Sequence, residues 1–196
     1  VIDSWILTGY LIRTADVTLP VGPHTVVMEY YEQTGLAGAA LSWAPKQAPT
    51  AQPGLTGTYF NNTSFSGTPG LTRVEVPAVN LGAGAAPVAG FGTSNWGIRW
   101  TGKLVPTATG ATAIQTYNSS TDQVRVWING QLVIDNWGRP SFNTRQATVN
   151  LTQGVAVPIK IEYLDPTDRA QLIVSWKLPG QASFVTIPIS GYSSLS

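Results

Sequence analysis

An all-β fold, an antiparallel sandwich of two sheets, is what this sequence predicts. Three observations carry the prediction. No 3.6-residue apolar period survives for long, while Pro, Gly and Asn recur every several residues. Short segments alternate apolar with polar residues instead. Turn signals separate these segments closely, as in sandwiches and barrels.

The segment Val124-Arg125-Val126-Trp127-Ile128 alternates and runs into Asn129-Gly130, which reads as a strand ending in a tight hairpin turn. Ile159, Ile161 and Tyr163 fall on one face of a further strand, with Lys160 and Glu162 on the other. Leu172, Val174 and Trp176 alternate in the same way.

Composition bounds the function. The 196 residues are 43% hydrophobic, enough for a packed core and too apolar for a disordered tail. No run of about 18 apolar residues exists, so no membrane-spanning helix is expected. Val1-Ile2-Asp3-Ser4-Trp5 reads as folded sequence rather than a secretory leader, and the chain is expected to begin inside a longer protein. Net charge is +1, and Lys and Arg are scattered singly, which argues against nucleic acid as a partner. With no cysteine, disulfides and thiolate metal sites are excluded.

The sequence repeats itself. Val1-Ile2-Asp3-Ser4-Trp5 matches Val133-Ile134-Asp135-Asn136-Trp137, then Arg13 matches Arg145 and Gly22 matches Gly154, at an offset of 132 residues. After one inserted residue, Glu29-Tyr30 matches Glu162-Tyr163 and Leu41-Ser42-Trp43 matches Val174-Ser175-Trp176 at an offset of 133. Residues 1–44 are therefore expected to be the C-terminal part of one module, a partial β unit. Residues 45–53, with three prolines, read as a linker. Residues 54–190 read as a complete module, and 191–196 as a tail or the start of a next linker. In the partial copy Val26, Met28 and Tyr30 alternate on one face, as do Ala39, Leu41 and Trp43. Exposing those faces is costly, at about 1.5–3 kcal/mol per large apolar side chain, so a neighbouring chain, a separate upstream fragment or the complete module folding back is expected to cover them, with intermolecular completion favoured. Other copies of the same protein, in a filament, tandem array or cleaved assembly, are the expected cover.

The complete copy resembles the PA14 domain family. The resemblance rests on Gly54-Leu55-Thr56-Gly57-Thr58-Tyr59-Phe60, Gly67-Thr68-Pro69, Leu71-Thr72-Arg73-Val74, Ile98-Arg99-Trp100-Thr101-Gly102, the block from Val124 to Trp137, Gly154, Ile161-Glu162-Tyr163 and Ser175-Trp176, in that order. It implies a two-sheet sandwich in an extracellular or cell-surface protein. It also implies a module that binds glycans or cell-surface polysaccharide in some members, through calcium in several, and serves only assembly or spacing in others.

The family's paired aspartates fall here on Thr121 and Asp122. Thr121 offers a hydroxyl or carbonyl but no charge, whereas calcium takes six to eight oxygens with several carboxylates. Asn118, Ser119 and Ser120 add neutral oxygens, so Asn118–Gln123 reads either as a plain polar turn or as a site for sugar hydroxyls. A second family loop maps to Leu164-Asp165-Pro166-Thr167-Asp168-Arg169. Asp165 and Asp168 are candidates to replace the missing carboxylate; equally, Asp165 caps a turn. The candidate ligand-binding set is Asn118, Ser120, Thr121, Asp122, Asp165, Thr167, Asp168 and Trp96, the last as a stacking ring. Calcium is the candidate ion, with Asp122, Asp165 and Asp168 as its carboxylates. Trp5, Trp43, Trp100, Trp137 and Trp176 read as packing residues.

Catalysis finds no residues. The only histidine, His24, lies in the partial copy, so the complete copy has neither a Ser/His/Asp triad nor a His-based zinc site. Glu162 reads as part of a cross-strand pair rather than one of two facing catalytic carboxylates. The leading expectation is a non-catalytic, lectin-like or adhesion module of a larger surface or secreted repeat protein. The alternatives are a structural repeat that assembles an extracellular filament or surface layer, and an accessory module of a carbohydrate-active enzyme.

Overall fold

The computed structural model describes residues 1–5, 11–36, 38–45, 50–139, 143–167 and 169–194. Asp168 and part of the linker, residues 46–49, lie outside the described residues. The chain divides into two units, Val1–Ala48 and Pro49–Ser196.

The second unit is the predicted sandwich. Its first sheet has the order β2 (Leu71–Glu75), β1 (Leu55–Phe60), β4 (Trp96–Leu104), β9 (Val157–Asp165), β6 (Gln123–Ile128), β7 (Gln131–Asp135), and β12 (Tyr192–Ser193) also pairs with β4. The second sheet has the order β11 (Val185–Thr186), β10 (Ala170–Lys177), β5 (Gly110–Asn118), β8 (Asn143–Leu151), with β3 (Val79–Leu81) also on β10. Every pairing is antiparallel. The sole helical element among the described residues is a 3-10 turn at Ile189–Gly191. Asn129 and Gly130 both take positive φ, 51° and 77°, which is the backbone a two-residue hairpin turn requires.

Alternation decides which side chains meet in the core. Ile159, Ile161 and Tyr163 from β9 face Ile114, Leu172, Val174 and Trp176 from the second sheet in one buried cluster. Trp96 and Trp100 of β4 are fully buried there. The Trp100 indole N–H donates to Glu75 Oε1 at 2.8 Å, and the Tyr59 hydroxyl donates to the same oxygen at 2.7 Å. Trp100 is therefore scaffold, as the sequence indicates.

The outer face of the first sheet carries charge in register. Asp135, Arg125, Glu162 and Arg99 stand opposite one another on β7, β6, β9 and β4. Arg99 Nε lies 2.9 Å from Glu162 Oε1, and Lys160 Nζ lies 3.7 Å from the same oxygen. Glu162 is thus held in the cross-strand pair expected of it.

The first unit departs from expectation. The described part of residues 1–44 carries no strand, although its alternation predicts two. Val26, Met28, Tyr30, Leu41 and Trp43 are exposed. The physical reason lies in the partners a strand needs: a ladder forms only between strands, and an isolated pair is at most marginally stable in water.

Candidate functional site

Three loops meet at one end of the sandwich: the one entering β4, the one joining β5 to β6, and the one joining β9 to β10. Hydrogen bonds tie them together. Asn95 N donates to Asp165 O at 2.8 Å. The Ser119 hydroxyl donates to Arg169 O at 3.1 Å, and Ser119 N to Gln171 O at 3.2 Å. The hydroxyls of Thr121 and Thr167 are 2.6 Å apart.

Asp122 sits beneath this junction and is fully buried. Its Oδ2 accepts from the Tyr163 hydroxyl at 2.5 Å and from Gln171 N at 2.8 Å. Its Oδ1 has no hydrogen-bond partner among the described residues. Burial pushes the Asp122 carboxyl above the usual carboxylate range, against the pull of the donors at Gln171 and Tyr163. Burial likewise pushes the Tyr163 phenol far above its ordinary value, and the charges of Asp122 and Asp165 add to the effect.

The expected site residues separate into three groups. Thr167 is exposed, and Ser120 and Thr121 are half-buried; these three stay together at the surface with Asn95 and Arg169, both exposed. Asn118 belongs to the support instead. Its buried amide nitrogen donates to Ser119 O at 3.0 Å and Asp122 O at 2.8 Å, and its oxygen accepts from Asn136 Nδ2 at 3.0 Å. Such an amide shapes the loop and does not reach a ligand. Asp165 is also buried, and its Oδ1 accepts from Thr167 N at 2.9 Å, the turn-capping contact read from the sequence. Trp96 is the clear correction. It is fully buried with its ring 5.7 Å from that of Tyr163, so it offers no face to a sugar.

The calcium expectation is tested by the chemistry of the donors. Calcium calls for six to eight oxygens including several carboxylates. Among the described residues no group of three or more His, Cys, Asp or Glu side chains converges. One oxygen of Asp122 is already used by two donors, and Thr121 brings no charge. Asp168, the third carboxylate of the expected set, lies outside the described residues, which leaves Asp122 and Asp165 as the described carboxylates of that set.

Tyr163 and Asn95 are the residues that sequence reasoning missed here. Tyr163 was read only as a core residue, and nothing in the alternation tells that its hydroxyl holds Asp122. Asn95 has a positive φ of 59°, which Asn tolerates better than most residues, so an Asn before Trp96 was the available signal.

The chain belongs to the PA14 domain family, whose model matches residues 51–189. Among curated proteins it is similar to the anti-sigma-I factor RsgI3 of Acetivibrio thermocellus, with 30% identity over 129 residues, covering 65% of this chain and 19% of that protein. Among solved structures it resembles an anti-sigma factor domain-containing protein, with 29% identity, a TM-score of 0.64, and coverage of 72% of this chain and 48% of the other. It also resembles the PA14 sugar-binding domain from an RTX adhesin, with 17% identity, a TM-score of 0.54, and coverage of 74% of this chain and 99% of that domain. The chain thus spans about a fifth of the curated relative and about half of the anti-sigma structure. Among the described residues, no helix is long and apolar enough to cross a membrane.

Proposed function

We propose that residues 54–190 form a non-catalytic, extracellular glycan-binding module, and that the three-loop end around Asp122 is its binding surface. One observation carries the reading. The hydroxyls of Thr121 and Thr167 are brought within 2.6 Å of each other at the surface, over a buried carboxylate that fixes the loops. Paired hydroxyls, a nearby Ser120 hydroxyl and the Asn95 amide suit the alternating donors and acceptors of a sugar ring. The sugar-binding domain of the RTX adhesin shares the fold, which supports the choice of ligand class.

The buried groups position and the exposed groups bind. Asp122 clamps the β5–β6 loop to Tyr163 and Gln171, so the rim hydroxyls need little ordering when a ligand arrives. The carboxylates are poor candidates for hydrolysis. Asp122 and Asp165 are buried, and Glu162 is paired with Arg99. A glycosidase needs two carboxyl groups facing an open cleft.

Thr121 brings no charge to the loop where the family has a carboxylate, which supports binding that does not depend on an ion. A glycan array run with calcium and again with chelator tests both parts. The expected result is binding to a defined group of glycans, unchanged by chelator. Binding lost on chelation would return calcium to Asp122, Asp165 and Asp168. An array with no hits would favour the assembly alternative.

A further inference from the structure

The strands at the margins of the two sheets are short, with one exception. β2 and β7 have five residues each, β3 has three, and β11 and β12 have two. β7 is also irregular, with a register shift against β6 between Val126 and Trp127. Short or irregular edges resist the addition of a further strand. β8 is the exception. It has nine residues, and all of them pair with β5 in unbroken register, from Gly110↔Leu151 to Asn118↔Asn143. Among the described residues it ends its sheet and pairs with β5 alone. Its sequence from Asn143 to Leu151 contains no Pro, Lys, Asp or Glu. The devices that usually blunt an edge are therefore absent from it.

The inward face of β8 is also unfinished. Arg145, Ala147 and Val149 are half-buried, whereas Thr116, Ile114 and Thr112, which face them on β5, are fully buried. Ala147 and Val149 pack against the core at its margin. Arg145 Nε is buried with no hydrogen-bond partner among the described residues. A further strand laid along β8 would cover this margin and would satisfy the backbone groups that point away from β5.

We propose that β8 is an interface strand, pairing antiparallel with β8 of a second copy of this chain about a two-fold axis at Ala147. Ala147 is the middle residue of Asn143–Leu151, so this two-fold register pairs all nine residues. Facing residues of an antiparallel pair point to the same side of the sheet. The register meets that condition throughout. Exposed Thr144 faces exposed Asn150, and exposed Gln146 faces exposed Thr148, so hydroxyls meet amides on the outer side. Half-buried Arg145 faces half-buried Val149 on the inner side. Arg145 is the one charged side chain of β8, and it stands opposite an aliphatic residue rather than its own copy. Like charges in register are thereby avoided. One strand supplies both halves of the match, which is why the occupant is a second copy.

The chain has no cysteine, so a single introduced thiol reports on one contact. In the proposed pairing the two copies of position 147 have Cα atoms about 4.5–5.5 Å apart, within the span of a disulfide. The two copies of position 144 lie about 20 Å apart along the strands. Ala147→Cys in the full chain should therefore crosslink under diamide at least about 10-fold faster than Thr144→Cys, although Thr144 is the more exposed site. Sedimentation of charge variants tests the register without a crosslink. Gln146→Lys with Thr148→Lys sets like charges at both facing pairs and should weaken dimerisation about 2- to 30-fold. Gln146→Lys with Thr148→Glu should restore it. Equal crosslinking at positions 147 and 144 would overturn the proposal. Association indifferent to both charge variants would overturn it as well, by placing the contact elsewhere on the chain. So would a chain that stays monomeric at every concentration measured.

Discussion

Replacing Asp122 with alanine tests whether the three-loop end is held from beneath. The substitution removes the acceptor of two donors, the Tyr163 hydroxyl and Gln171 N. A buried donor left unsatisfied costs about 1–3 kcal/mol, which for two gives about 2–6 kcal/mol. Relief of the buried charge offsets part of this, because burial already holds the Asp122 carboxyl above its ordinary range. A net loss of about 2–4 kcal/mol is expected, a large share of the roughly 5–15 kcal/mol that stabilises a typical domain. Tyr163→Phe removes one bond to the carboxylate and should cost about 1.5–3 kcal/mol. The assay is urea unfolding followed by tryptophan fluorescence, with the midpoint falling at constant slope. A double-mutant cycle then isolates the Asp122–Tyr163 term. A loss for Asp122→Ala within about 0.5 kcal/mol, the range of an ordinary surface substitution, would refute the reasoning.

Further outcomes follow from the same geometry. The folded-state pKa of Asp122 is raised, so its contribution to stability is fully present below the ordinary carboxylate value and is lost as pH rises through the folded pKa. Unfolding free energies measured from pH 3.5 to 7 should show this fall for the native protein, and Asp122→Asn should flatten it. Ile161→Ala should cost about 2–5 kcal/mol in the core, whereas Met28→Ala at the repeated, exposed position should stay within about 0.5 kcal/mol by the same urea titration. Gly102 has a φ of 153°, and a Cβ there would run into Ser193 O and the Leu55 side chain. Gly102→Ala should therefore lower the melting temperature clearly, while Gly138→Ala, with open space around it, pays only for its positive φ. Glu162→Gln should destabilise by about 1 kcal/mol, and by more at low salt, because Arg99 and Arg125 stand on either side of it in the ladder.

The fold was legible because alternation and turn chemistry are local. Ile159, Ile161 and Tyr163 declared a core face, and Asn129-Gly130 declared a hairpin, before any pairing was known. The resemblance to PA14 domains then implied two sheets. The site was legible only in part. Two loops were named correctly as neighbours, and Thr121 and Thr167 do meet. The roles within them were not readable, because they depend on which side of the loop faces inward. Asn118 and Trp96 looked available and are buried, while the Tyr163 hydroxyl looked like core and holds the carboxylate. The described part of residues 1–44 shows no strand. Its alternation is that of strands, yet a strand is a relation between segments, and every ladder of β7 to β10 is made with a strand outside that set.

The central claim is that the Asn95, Thr121 and Thr167 end of the sandwich binds glycan. Amide chemical-shift mapping tests it most directly, by titrating the best array ligand into isotope-labelled protein. Shifts concentrated at Asn95, Ser120, Thr121 and Thr167 are the predicted result. Shifts confined to the outer face of the first sheet, around Trp127 and Trp137, with those loop amides unmoved, would contradict it.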